Sequence, residues 1–348
     1  MRGISTIPTV HGSALATLSI ILTLVSCATF ADETSSHSQL FALALALERS
    51  LAGVEPYLVE VDGDTIAYLE RPGDGEVVVL VHGFAADKDN WVRFVRHFPT
   101  GYRIIALDLP GHGDSSFDSA KLYDATNLTR SLERIFEALG LDQFHLAGHS
   151  FGGWITTLYA AQNPDRVLSL SLINSAGVVP PIASELQLRM LDGDNPLLVE
   201  SSADFERLMD VIFYRQPFLP WPLRPAFARI YVQRAAINRK IWKDLSANLE
   251  EVVPLLGKLQ MPVLIVWGEH DRVLHVSSVA VYRENLADVR SVVLSDCGHS
   301  PIAERPSESA FYVSQFLVGE LPSGMQMKTP PSSELDVQFQ QSNAEHTR

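Results

Sequence analysis

The stretch LAGHSFGG, Leu146 to Gly153, holds a serine between two glycines in the spacing G-x-S-x-G, with Gly148, Ser150 and Gly152. The apolar run FHLAG leads into it and reads as a buried strand. FGGWITTLYAAQNP follows, and there Trp154, Leu158 and Ala161 recur at helical spacing until Pro164 ends the run. The serine therefore stands at a strand-to-helix turn. A turn this tight needs backbone angles that a chain reaches only beside small residues. It lifts the hydroxyl above the sheet, while the new helix offers free N–H groups to developing negative charge. An ordinary glycine-rich turn has the same local pattern, so the partners of Ser150 must decide between the two readings.

A serine nucleophile needs a base within hydrogen-bond reach and an acid to orient that base, and in this type of sheet the chain order is nucleophile, acid, histidine. Asp271 in WGEHDRV and His299 in DCGHSP supply that order, and each follows an apolar strand. Both would emerge at the carboxyl edge of the sheet, where Ser150 sits. Glu269 and His270 crowd Asp271; Glu269 is the rival acid, and His270 reads as facing solvent. The loop LINSAG offers Asn174 and Ser175 but no carboxylate. Two backbone N–H groups are expected to form an oxyanion hole, from Phe151, the residue after the nucleophile, and from Phe84 in the loop after VVLVHG.

The remaining histidines take plainer readings. His82 and His149 flank turns and suit structural hydrogen bonds, His112 lies in the glycine-rich loop DLPGHGDS, and His97 ends a helix. None has zinc-ligand spacing, and neither a P-loop nor a dinucleotide fingerprint occurs, so no metal and no cofactor is expected.

Outside the site, QLFALALALERSLAG places Leu40, Leu43, Leu47 and Leu51 on one helical stripe that Gly53 closes. YLVEVDGDTIAYLE reads as two strands joined at Asp62-Gly63-Asp64, and EVVVLVHG as a parallel strand covered on both faces. Strands and helices then alternate, which predicts an α/β class with a mostly parallel, doubly wound sheet. The alternation stops near Val178 and resumes at MPVLIVWGEHD, so a helical cap is inserted before the last two strands. In the cap, Ser201 and Asp204 have capping-box spacing, and the aromatic segment FYRQPFLPWPLRPAF, Phe213 to Phe227, is expected to help line an acyl pocket. The organisation reads as a signal segment 1–27, a linker and leading helix 28–56, core 57–178, cap 179–258, core 259–321 and a tail without periodicity, 322–348, expected to be disordered.

Charge and processing bound the setting. With 41 acidic against 27 basic residues, a net charge of −14, and no basic run, the chain does not suit nucleic acid or electrostatic docking on anionic lipid. Near the N-terminus, Arg2 precedes an apolar run from Ala14 to Val25, shorter than the roughly 20 residues that span a bilayer, so the segment reads as an export signal. LVSC looks like a bacterial lipobox, which would put a lipid on Cys27 and attach the chain to a membrane; cleavage after Ala28 or Ala31, or an uncleaved anchor, are the alternatives. The protein is thus expected to be exported, held in the cell envelope on the periplasmic side or outer membrane, or secreted. Cys27 and Cys297 are its two cysteines, so losing the signal would leave no intramolecular disulfide.

Taken together, HGFAADKDNW, GHSFGG, DNPLLVESSADFERLMDVIF, VWGEHDRV and CGHSP resemble the α/β-hydrolase superfamily and, within it, bacterial family V lipases and monoacylglycerol lipases. The likeness runs from about Leu40 to Leu321. It implies the α/β-hydrolase fold and a serine hydrolase of carboxylic esters acting on a small acyl ester or lipid, with Ser150, Asp271 and His299 as triad and Phe84 and Phe151 at the oxyanion hole. Phe151 departs from the methionine those lipases often carry, which bears on acyl fit rather than on chemistry. Two rival functions share the scaffold: a carbon–carbon bond hydrolase of the meta-cleavage type, and a non-catalytic envelope-binding protein.

Overall fold

The computed structural model describes residues 33–219, 221, 223–247 and 252–331. Those residues form one nine-stranded sheet of β1 (Glu55–Val61), β2 (Asp64–Arg71), β3 (Val77–Val81), β4 (Arg103–Leu107), β5 (Phe144–His149), β6 (Val167–Ile173), β7 (Val263–Gly268), β8 (Val289–Leu294) and β9 (Gln326–Lys328). Their spatial order is β1-β2-β4-β3-β5-β6-β7-β8-β9. β1 and β2 pair antiparallel through a two-residue turn in which Asp62 and Gly63 take φ of 52° and 84°. Positive φ at both central residues matches the right-handed twist of the strands, which is why an Asp-Gly pair sits there. β2 also runs antiparallel to β4, and every pairing from β4 through β9 is parallel.

Period-two side-chain alternation splits the parallel strands between two cores. Val79, Val81, Ile105, Leu107, Leu146, Leu172, Ile265 and Trp267 belong to one core. Helices α3 (Ala125–Ala138) and α4 (Phe151–Gln162) cover it with Leu132, Phe136, Ile155 and Tyr159. Val78, Leu80, Ile104, Ala106, Ala147, Leu264, Val266 and Val292 face the other way. There they meet Phe94 and Val95 of α2 (Val92–His97) and Val313 and Phe316 of a later helix, Pro306–Leu317. Continuous apolar runs such as VVVLV are what a sheet buried on both faces requires.

Between β6 and β7 the described residues form α5 (Glu185–Leu191), α6 (Ser202–Ile212), α7 (Leu223–Gln233), α8 (Ala235–Ala247) and α9 (Val253–Leu256). The upper helices have a small core of their own, with Val199, Phe205, Leu208, Met209 and Ala228 buried against Phe213, Phe227 and Tyr231.

The leading helix α1 (Glu33–Ala52) is present, with Leu43, Leu47 and Leu51 of its leucine stripe 43%, 43% and 52% exposed. Its rotation is set by the Phe41 ring stacked on Phe227, 5.8 Å between centroids, and by two 2.6 Å bonds from the Arg49 guanidinium to Asp89. A bidentate ion pair plus an aromatic contact turns the helix to present the face of Phe41, Leu45 and Arg49 to the protein. One expectation needs correction: the tail, read as disordered from residue 322. Residues 326–328 form β9 against β8, and Thr329 is buried, donating its N–H to Val293 and accepting the Ser295 N–H. Three residues carry no periodicity to read, and an open edge of β8 supplies the pairing. The cap therefore precedes three strands rather than two.

The loop after β3 is anchored below the site by charge. Lys88 is 2% exposed and Asp108 0%, with Nζ 2.9 Å from the carboxylate, and the Lys88 N–H bonds to the same side chain at 2.6 Å. Desolvation pulls the Lys88 ammonium down, but Asp108, Asp114 and Asp89 together outweigh it and hold it above its ordinary value. Breaking a buried pair leaves one uncompensated charge, so Lys88→Met is expected to lower unfolding free energy by about 3–5 kcal/mol. Urea titration of both proteins checks this; coincident midpoints would show that Asp108 is satisfied without the ammonium.

Candidate active site

Ser150 lies between β5 and α4 with φ 54° and ψ −122°, outside the regions an L-residue ordinarily occupies. Close packing holds it there. A Cβ on Gly148 would lie 2.4 Å from Thr156 Oγ1, and one on Gly152 would lie 2.4 Å from the His82 carbonyl oxygen. Neither position accepts any other residue without backbone movement. The Ser150 N–H donates to Ile173 O at 2.9 Å, and Ser150 O accepts from Ala176 N at 3.0 Å, which ties the turn to the end of β6.

His299 reaches the serine from the loop after β8. Its Nε2 is 2.8 Å from Ser150 Oγ, and its Nδ1 is 2.9 Å from Asp271 Oδ2. These partners assign the tautomer: Nδ1–H donates to the carboxylate, and Nε2 is left to accept the serine proton. Asp271 follows β7 and is saturated with donors. Its Oδ1 accepts the Val273 and Leu274 N–H groups at 2.8 Å each, and its Oδ2 accepts from Asn174 Nδ2 at 2.6 Å as well as from His299. Asp271 and His299 are both buried. The structure thus brings Ser150, His299 and Asp271 into one hydrogen-bonded line.

The rival residues are elsewhere. Glu269 is paired with Lys328 of β9 at 2.6 Å, and exposed His270 stacks its ring on Tyr214 at 4.2 Å. Asn174 is the residue that the sequence reading passed over. It sits at the end of β6 with φ 43°, and its amide joins three elements, donating to Asp271 and to Gly298 O at 3.3 Å and accepting from Gly268 N at 3.2 Å. A search of LINSAG for carboxylates ignores an amide; the signal available was its position, one residue past a strand at the same sheet edge.

Three buried histidines are held neutral. His82 donates from Nδ1 to Gly83 O at 2.7 Å and accepts the Leu109 N–H at 3.0 Å, and burial together with His112 keeps its pKa well below the ordinary range. His149 donates from Nε2 to the carbonyl of His299 at 2.8 Å, and burial, with the neighbouring His299, pushes its pKa down to about 3. For His112, burial lowers it to about 4. His82 and His149 thus fix the loops on either side of Ser150.

The two residues expected to supply the oxyanion donors lie on the helix after the serine and on the loop after β3. Phe151 is the first residue of α4, where the helix itself offers the N–H no acceptor. Phe84 belongs to the loop after β3, and the adjoining Gly83 packs so closely that a Cβ on it would stand 3.1 Å from Ser150 Cβ. The Phe84 ring meets Trp242 of α8 edge-on at 5.3 Å, which places the cap directly over this loop. In the aromatic cap segment, Phe213 and Phe227 pack within the cap's own core, while Phe218 and Trp221 are 83% and 76% exposed. Among the described residues, no group of three or more His, Cys, Asp or Glu side chains could hold a metal, and no helix is long and apolar enough to cross a membrane. Cys27 lies outside the described residues.

The family model described as alpha/beta hydrolase fold matches residues 76–306. Lipase 3 of Moraxella sp. (strain TA144) is 30% identical over 83% of this chain and 92% of its own length. A monoacylglycerol lipase of Xenopus laevis, abhd6-B, is 31% identical over 71% of this chain and 77% of its own. Among solved structures, a protein described as a membrane phospholipase A and bacterial virulence factor superposes with a TM-score of 0.80 at 40% identity, covering 88% of this chain and 97% of that one.

The Asn174 amide is expected to matter for the reactivity of Ser150. A hydrogen bond to a charged group contributes roughly 1.5–3 kcal/mol, so Asn174→Ala should slow covalent labelling of Ser150 by a fluorophosphonate about 10-fold to 10²-fold. Equal labelling rates would show that the two backbone N–H groups suffice to hold Asp271.

Proposed function

Because this chain belongs to the α/β-hydrolase fold family and is a carboxylic ester hydrolase, we propose that it cleaves acyl esters of the glycerolipid kind, monoacylglycerols among them, through an acyl-enzyme on Ser150. The observation that carries the reading is the line from Ser150 Oγ through His299 to Asp271, with steps of 2.8 Å and 2.9 Å. His299 Nε2 removes the hydroxyl proton as Oγ forms a bond to the ester carbonyl carbon. The resulting oxyanion is held by the N–H groups of Phe84 and Phe151. Collapse breaks the bond to the alcohol oxygen, which takes the proton from His299. Water, deprotonated by the same nitrogen, then releases the acid and restores the serine. Asp271 stays ionised throughout and stabilises the imidazolium that forms twice per cycle.

The lipid class is supported by the relatives, two named as lipases and one as a membrane phospholipase A. In the same reading Cys27 is lipidated and holds the enzyme in the cell envelope. A single acyl chain binds a membrane weakly, so anchoring would need more than one chain or added protein contacts.

Initial rates on p-nitrophenyl esters from short to long acyl chains, with monoacylglycerol and triacylglycerol alongside, test the chemistry. Ser150→Ala is expected to cut turnover by about 10⁶-fold, and the wild type to prefer medium or long chains and glycerides. Unchanged turnover in the variant would refute the mechanism, and activity confined to short esters would refute the lipid class. For the anchor, Cys27→Ser is expected to abolish incorporation of labelled palmitate. Retained labelling, or a mature wild-type chain beginning after Ala28 or Ala31, would place processing elsewhere.

A further inference from the structure

One carboxylate near the site takes no part in the chemistry above, yet it joins the histidine loop to the cap. Glu304 ends the short helix Pro301–Glu304, one turn past His299. Its Oε1 accepts the N–H of Gly298 at 2.9 Å. Its Oε2 accepts the N–H groups of Tyr214 and Arg215 at 3.0 Å each. Tyr214 and Arg215 form the turn by which the cap leaves α6, and that turn is attached at further points. The His299 N–H donates to Ile212 O at 2.7 Å, Arg272, beside Asp271, donates to Phe213 O at 3.0 Å, and Tyr214 stacks on His270. The contact leaves no slack, because a Cβ on Gly298 would lie 2.6 Å from Tyr214 N and 2.7 Å from Ile212 O.

We propose that Glu304 is a positioning residue that couples the seating of the cap to the placement of His299, one oxygen holding the histidine loop and the other holding the cap turn. The proposal rests on the serine-hydrolase reading above. Displacing residues 212–215 draws on the Gly298 and His299 backbone through this carboxylate, so the base reaches Ser150 at 2.8 Å only while the cap turn is seated. A base moved by about 1 Å loses on the order of 10²-fold in rate, whereas the binding surfaces of the cap are unchanged to first order.

Burial pushes the Glu304 carboxyl up to about 7, against the pull of the N–H groups of Arg215, Gly298, Tyr214 and Ser300. Other titratable or charged groups stand around it. Cys297 and His299 lie on the histidine loop, the thiol kept neutral by burial. Tyr214 and Arg215 lie on the cap turn, with the Arg215 guanidinium paired to Asp296 at 3.2 Å. Beyond the Pro301–Glu304 helix, Arg305 is bonded to Glu308 at 2.6 Å. A proton on Glu304 replaces an acceptor by an O–H donor facing N–H groups, so the clamp is complete above about pH 7 and lost as pH falls through it.

The full-length enzyme, with Glu304→Gln and Glu304→Asp, tests this by kcat and KM on one p-nitrophenyl ester across about pH 5 to about pH 9, normalised to fluorophosphonate-labelled serine. Glu304→Gln should lower kcat per labelled serine about 10-fold to 10²-fold in the alkaline range with little change in KM. The acid limb, steeper than one proton in the wild type, should become a one-proton limb. Glu304→Asp, which keeps the charge, should recover part of kcat. Wild-type kcat and acid limb in Glu304→Gln, or a loss fully explained by fewer labelled sites, would overturn the proposal. So would a one-proton acid limb in the wild type, a measurement that needs no variant to fold. Equal labelling of wild type and Ser150→Ala would instead refute the hydrolase reading beneath it.

Discussion

The backbone of Ser150 is the constraint around which the molecule is organised. A non-glycine residue at φ 54° and ψ −122° costs about 1–3 kcal/mol and persists only when its surroundings over-determine it. Here they do. β3 supplies carbonyls packed against Gly152, α4 packs Thr156 against Gly148, and the end of β6 with the loop after it holds the serine's own N–H and C=O. The stable parallel sheet absorbs the strain, and the return is a hydroxyl exposed above the sheet next to the first free N–H of a helix.

The residues grouped around this serine each follow a strand. Asp271 comes after β7, His299 after β8, Phe84 after β3 and Asn174 after β6, so the four parallel strands set the spacing of the site and the loops add only the last few ångströms. Burial then sorts the ionisable groups by role. His82 and His149 lose their charge to desolvation and act as struts, each bonded to a backbone carbonyl beside the site. The carboxylate of Asp271 is compensated by four donors and stays anchored. Lys88 and Asp108 perform the same anchoring below the Phe84 loop, with a full ion pair in place of neutral hydrogen bonds.

The cap has a small core of its own, yet Ile241 and Leu245 of α8 also join the main core beneath it. Trp242 lies over Phe84, Arg234 donates to the carbonyls of Gly111 and Gly113, and the turn after α6 is bonded to the loops of Asp271 and His299. The exposed stripe of α1 and the exposed rings of Phe218 and Trp221 belong to this side of the chain's organisation, where packing rather than periodicity sets orientation.

Much of this was legible in one dimension because it is written in local, periodic signals. The strand–serine–helix pattern at Leu146 to Gly153, the alternation of apolar strands with helices, the Asp-Gly turn and the order of Ser150, Asp271 and His299 each depend on residues close in sequence or on a rule of chain order. What escaped depends on contacts between segments far apart. No period marks which way α1 faces, since Arg49 meets Asp89 only in the folded chain. Nor does β9 announce itself in three residues that need the edge of β8 to become a strand. The sequence by itself thus determined the fold class and the three residues at the end of the strands, because sheet topology carries strand ends to one edge. Only the tertiary structure decided the second layer, the Asn174 amide on Asp271 and the Glu304 carboxylate between His299 and the cap, because those bonds join segments 97 and about 90 residues apart whose meeting no local pattern encodes.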